Sequence, residues 1–416
     1  MTPTYPPTPY LVGLFSEGTS DKQGRKAMRI ARITPPRLRS KDEEGKRSAT
    51  WLELFYDLAF VVAIAVLGDR LHQEISWGGL AAFVGYFALL WWLWASHTFY
   101  ADRYDTDDLV FRLLATAQMA AIVVIAASLS TGATGSTFVF AVAYTAARIL
   151  LLVNYGRVHR QVAETRGLVR GYLIGFGAGA VVWAASIFFP EPARFWVWGI
   201  ALAIDLVTPW AMRREQARIP LDVSHLPERF GLFTILVLGE SIAAVVTGLA
   251  QSGWSMTSVL TAAIGVAVAT ALWWMYFDNA EGSVVRRRDM GGRTWRPTGW
   301  IYAHMPLAAA LATIGVALDN AVSTSGEGPI DQPVRLLFVG AVAVALASMA
   351  LIQHASLTHP QAALNRAITL NRLAGIPFVV LIGVLSGLEA AWIGLGVLGV
   401  CVAEVIADMT ASAVSQ

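Results

Sequence analysis

The residues with most chemistry to offer are charged groups lying where an apolar helix should carry none. Glu53 and Asp57 stand four residues apart in an apolar stretch, so on a helix they share one face. A second such stretch opens with His225, Glu228 and Arg229, and Glu240 follows Arg229 by eleven residues, or about 16 Å of helix axis. A carboxylate that deep must be protonated, paired or hydrated. The chemistry that follows is proton exchange or cation binding, and Glu240 and Asp57 are the leading candidates for it. Glu53 and Glu228 also have a plain structural role, since a first-turn carboxylate meets the positive end of the helix dipole.

His304, two residues after Tyr302, could titrate near neutral pH, although a lone histidine is more often a satisfied helix residue. Arg112 and Arg148 are the candidate counter-charges, with Arg170 and Arg372 behind them; Arg112 and Arg148 could equally snorkel to an interface. In a proton-exchange scheme, Arg229 or Arg148 would hold the charge opposite Glu240. Asp205 and Glu404 are further isolated acids.

Other chemistries lack their signatures. The chain has no phosphate-binding Gly-Lys-Thr loop, no His-Glu-x-x-His motif and no Gly-x-Ser-x-Gly elbow. The single cysteine, Cys401, lies in an apolar run and reads as a packing residue. It excludes an intrachain disulfide and any multi-cysteine metal site. No metal and no cofactor is expected. Gly171, Gly175 and Gly179 form a small-residue ladder that reads as helix packing. Trp91, Trp92 and Trp94 read as belt or core.

The elements that position these groups follow from composition. Hydrophobic residues make up 56% of the chain and charged residues 14%, against roughly 25% charged in a typical soluble domain. Apolar stretches of the roughly 20 residues needed to span a bilayer recur from Trp51 onward. An all-α polytopic membrane bundle is therefore expected, with the lipid bilayer as its surroundings. Twelve spans are predicted near 51–71, 77–98, 109–130, 135–155, 168–189, 193–212, 229–250, 254–277, 300–320, 333–355, 367–386 and 388–408.

Charge orients them. With a cytoplasmic amino terminus, the inner loops carry Arg103, Arg157, Arg160, Arg166, Arg213, Arg214, Arg218, Arg286, Arg287, Arg288, Arg293, Arg296 and Arg366. The outer side keeps Arg70, Arg194 and Arg335. The alternation holds at every loop. Basic residues crowd into Lys22 to Arg47, where a disordered cytoplasmic leader over 1–48 is expected; nucleic acid is not an expected partner. Six helices over 49–218 and six over 219–416 share an opening: Trp51-Leu-Glu53-Leu-Phe55 and Leu226-Pro-Glu228-Arg-Phe230. Leu90-Trp91-Trp92 is likewise matched by Leu272-Trp273-Trp274. An even number of spans per half predicts a parallel pseudo-two-fold along the membrane normal, as in some transporters.

Glu53-Leu-Phe-Tyr-Asp57-Leu-Ala-Phe-Val resembles the opening motif of the bacterial low-temperature-requirement A family. The stretch from His225 through Glu228, Arg229 and Gly239-Glu240-Ser241 resembles that family's most distinctive segment. Trp273-Trp274-Met-Tyr-Phe277 and Tyr302-Ala-His304 are similar to later family features, in the same order. The resemblance covers about 48 to 410. It implies a multi-pass bacterial membrane protein named for growth at low temperature, with no settled activity attached to the name. Three functions compete: a transporter or channel-like protein for an ion or small solute, a membrane-embedded enzyme acting on lipid or envelope precursors, and a non-catalytic scaffold. In the enzyme reading, Glu53, Asp57, His225 and Glu228 cluster at the cytoplasmic interface as acid–base groups.

Overall fold

A computed structural model describes residues 34–38, 49–105, 107–130, 136–219, 225–278, 296–356 and 362–414. Thirteen helices run through them. The first group comprises α1 (Trp51–Gln73), α2 (Trp77–Arg103), α3 (Leu109–Ser130), α4 (Ser136–Gln161), α5 (Arg166–Ser186) and α6 (Ala193–Ala211), with the short α7 (Arg213–Arg218) behind them. The second comprises α8 (His225–Gln251), α9 (Met256–Phe277), α10 (Arg296–Ser323), α11 (Gln332–Ala355), α12 (Ala362–Val384) and α13 (Ala390–Val414).

Eleven of the helices are long and apolar enough to cross a membrane. Helix α6 also lies where a span was expected, but its 19 residues include Arg194, Asp205 and Pro209. These polar groups lower its hydropathy without keeping it outside the bundle. Arg194 donates to Thr137 Oγ1 at 2.7 Å, and Asp205 is fully buried against Arg148.

Local chemistry sets the helix starts. Thr50 and Glu53 form a capping box at α1: Glu53 Oε2 accepts from the Thr50 backbone N–H at 2.7 Å, and Thr50 Oγ1 accepts from the Glu53 N–H at 3.3 Å. Ser76 and Ser255 cap α2 and α9 through the hydroxyl alone, accepting from the Gly79 and Ser258 N–H groups. In α3, Asp108 Oδ1 accepts from the Phe111 N–H at 2.9 Å.

Both groups pack in a similar order. In the first, α1 contacts α2 and α3, and α3 to α6 follow one another; in the second, α8 contacts α9 and α10, and α10 to α13 follow one another. The groups meet where α1 and α2 face α8 and α10. The glycine ladder has the packing role expected of it. A Cβ added at Gly171, Gly175 or Gly179 of α5 would overlap Met212, Thr208 or Asp205 respectively, so these glycines let α5 and α6 approach closely. Cys401 is fully buried, and Trp91, Trp92 and Trp94 lie in the core.

Most of the leader expected to lack structure falls outside the described residues. One part of it is ordered: Arg37–Leu38 (β1) pairs antiparallel with Tyr104–Asp105 (β2) at the end of α2. The arginines at 286–288 and at 293 also fall outside the described residues.

Candidate functional site at the meeting of the two helix groups

Five ionisable side chains converge where α1, α2 and α8 meet near their ends on the amino-terminal side. Asp57, fully buried, accepts from Arg229 through Oδ1 at 2.5 Å and from Trp94 Nε1 at 2.8 Å. Arg229, also fully buried, lies 3.6 Å from Glu53 Oε1 through its other terminal nitrogen. His225 stands between two acids, with Nε2 3.4 Å from Glu53 Oε2 and Nδ1 3.0 Å from Asp102 Oδ1. The helical spacing explains the convergence. Glu53 and Asp57 share a face of α1, His225 and Arg229 share a face of α8, and each pair is one turn long. Removing one partner from such a buried set leaves an uncompensated charge, so each member of the network, which spans the two groups of helices, depends on the others.

Aromatic rings enclose it. Trp94 stacks on Phe233 with centroids 4.1 Å apart and meets Phe230 edge-on at 5.0 Å. Tyr56 stacks on His97 at 3.9 Å. His304 lies on the far side of Phe230, 4.9 Å from its ring. Its Nδ1–H donates to the Trp300 carbonyl at 2.7 Å, and the Tyr276 hydroxyl donates to Nε2 at 3.0 Å. The imidazole is thus satisfied by its neighbours, which is the structural role weighed for it above. Glu228 stays outside the network; its Oε1 accepts from the Ala49 N–H at 3.4 Å and tethers the chain leading into α1.

Glu240 lies elsewhere. It lines a cavity of about 120 Å³ between α1, α8 and α10, together with Asp69, His72 and Asp319. Neither arginine proposed as its counter-charge reaches it. Arg229 is held by Asp57 and Glu53, and Arg148 pairs with Asp205 at 2.6 Å while also donating to Ser96. Arg112 pairs with Asp107 at 2.8 Å on the surface. Within the cavity His72 approaches Asp319 at 3.4 Å. Among the described residues, no group of three or more His, Cys, Asp or Glu side chains is arranged to hold a metal ion.

A second buried arginine clamp lies in the other group of helices, where Arg372 of α12 binds Glu404 at 2.8 Å and also Asp408. The acids that sequence reading treated as isolated, Asp205 and Glu404, are therefore both arginine partners.

Residues 48–407 match the family model described as bacterial low temperature requirement A protein. The chain belongs to that family. Among curated proteins it is similar to an uncharacterized protein of Rhizobium meliloti (strain 1021), 29% identical over 308 residues, which covers 67% of this chain and 71% of the relative. No solved structure matches. The low-temperature-requirement A match spans all five residues of the α1–α2–α8 network and all four acid and histidine residues of the cavity.

Sequence reading missed Asp102, Asp69, His72 and Asp319, and read Trp94 as belt or core without its bond to Asp57. Asp102 adjoins Arg103 at the end of a span and resembles an interfacial charge. Asp69 and His72 close α1 in the same way. Their one available signal was position: Asp69 follows Asp57 by twelve residues in the same span.

Proposed function

We propose that this membrane protein is a transporter or channel-like protein that moves an ion or small solute along the seam between α1 and α8. It would lie in the bacterial inner membrane with its amino terminus in the cytoplasm, as the arginine distribution favours. The carrying observation is the contrast along one seam, with a closed ionic network at one end and an acid-lined cavity at the other. Asp57 and Asp69 are twelve residues apart on α1, about 18 Å along the axis. Apolar side chains fill the interval, with Phe60, Ile64 and Leu67 of α1 buried.

The similar packing order of the two groups supports a parallel six-plus-six duplication, with α1 and α8 as equivalent first helices. In this reading, Glu240 at the cavity wall receives a cation or proton from the outer side. The Asp57–Arg229 pair is the inner element that must open for passage. The enzyme reading is less well supported, because Glu53 is 2% exposed and Asp57 and His225 are 0% exposed. An interfacial acid–base group has to reach its substrate.

Purified protein reconstituted in liposomes tests the proposal. Proton or solute flux above that of empty liposomes is expected, with Glu240→Gln abolishing it. Wild-type flux equal to that of empty liposomes across a broad panel of cations and small solutes would overturn it.

A further inference from the structure

A groove between α2 and α6 has no role in the seam just described. It encloses about 420 Å³ and is lined by Ala81, Gly85, Tyr86 and Leu89 of α2, by Phe195, Trp198, Gly199 and Leu202 of α6, and by Arg70 at the end of α1. That volume lies within the range of ordinary ligand pockets. Helix α1 ends, and α2 and α6 begin, on the side of the membrane away from the amino terminus. The groove therefore starts at that surface and runs inward. From Ala81 to Leu89 it descends eight residues, about 12 Å, most of the depth of one leaflet's hydrocarbon.

Two features make this more than a gap between helices. Gly85 and Gly199 both line it, and a Cβ added at either meets nothing within 4 Å. In the second group of helices, α9 and α13 close on each other instead: a Cβ at Gly394 would lie 2.8 Å from Ile264. The groove is open where the other group is shut. Its mouth also carries a cation. The Arg70 guanidinium lies over the Tyr86 ring, 5.7 Å from the centroid. Among the described residues no carboxylate pairs with it.

We propose that the groove between α2 and α6 holds one acyl chain of an anionic phospholipid, with the headgroup phosphate on Arg70. An apolar slot of leaflet depth that opens to a cation at headgroup level is complementary to a phospholipid in both shape and charge. An ammonium-bearing amphiphile would find no acid among the lining residues. Phe195 and Trp198 supply the flat apolar wall, and Tyr86 holds the guanidinium from below.

Native mass spectrometry of the detergent-purified full chain tests this, with dioleoylphosphatidylglycerol and dioleoylphosphatidylcholine titrated separately. One phosphatidylglycerol should be retained about fivefold more tightly than phosphatidylcholine, the preference that one arginine near the headgroups supplies. Arg70→Gln should bring the two lipids to equal affinity. Gly85→Leu and Gly199→Leu, each growing into open space, should each lower retention of phosphatidylglycerol to that of a non-specific annular lipid. Thermal unfolding close to wild type would show that these variants fold. Equal binding of the two lipids by the wild-type protein would overturn the proposal, as annular lipid only. So would a preference that survives Arg70→Gln, or retention unchanged in both glycine variants. The measurement does not involve solute flux, so it stands or falls separately from the transport reading.

Discussion

The two ends of the α1–α8 seam carry similar residues under different physical conditions. On the amino-terminal side, Glu53, Asp57, Asp102, His225 and Arg229 are all at most 2% exposed, and each carboxylate faces an arginine or a histidine. At the far end His72 and Asp319 keep 29% and 14% side-chain exposure, and Glu240 lines the cavity without an arginine beside it. Burial makes pairing obligatory, because an unpaired ion in a low-dielectric interior is far costlier than one beside a cavity. Charge in the first region therefore acts as fastening. Charge in the second is held more loosely, beside a cavity.

The contrast is broken most severely by removing the buried arginine. Arg229→Met should cost about 3–5 kcal/mol of unfolding free energy, since it removes the arginine from buried Asp57, which keeps only the Trp94 indole N–H, and from Glu53, which keeps His225 and Thr50. Chemical unfolding in detergent micelles measures it, and adding Asp57→Leu to that variant should recover part of the loss. A smaller effect is expected from Trp94→Phe, which keeps an aromatic ring against Phe233 but deletes the indole N–H donated to Asp57, about 1.5–3 kcal/mol by the same measurement, with the smaller ring's cavity adding to it.

The far end should respond much less. His72→Gln breaks a partly exposed pair at 3.4 Å and should cost no more than about 1 kcal/mol. Glu240→Gln should shift unfolding by no more than about 0.5 kcal/mol yet abolish liposome flux. A large stability loss from Glu240→Gln would erase the distinction between the two ends. So would an Arg229→Met protein as stable as the wild type.

Much of the fold was legible along the chain because the bilayer imposes a local rule. A spanning helix must satisfy its backbone internally and present apolar side chains over roughly 20 residues. Eleven predicted spans appear as long apolar helices, and α6 occupies the twelfth position despite Arg194 and Asp205. The residue types of the buried network were also legible. Asp57 and Arg229 stood out as charges deep in apolar runs, and Glu53 as a first-turn acid, which the capping box with Thr50 bears out.

The pairings were not legible. Arg148 was expected to serve Glu240 and instead meets Asp205, 57 residues along the chain. Asp57 and Arg229 are separated by 172 positions, and His225 and Asp102 by 123. The sequence by itself determined that the helices cross a membrane, where most of them begin, and which buried charges need partners, because those are properties of single segments in a fixed solvent. Only the tertiary structure decided which acid meets which base, that Glu240 borders a cavity with Asp69, His72 and Asp319, and that α2 and α6 leave a groove. Those outcomes depend on how helices distant in the chain rotate and pack against each other, and side-chain periodicity along one helix carries no record of its neighbour's.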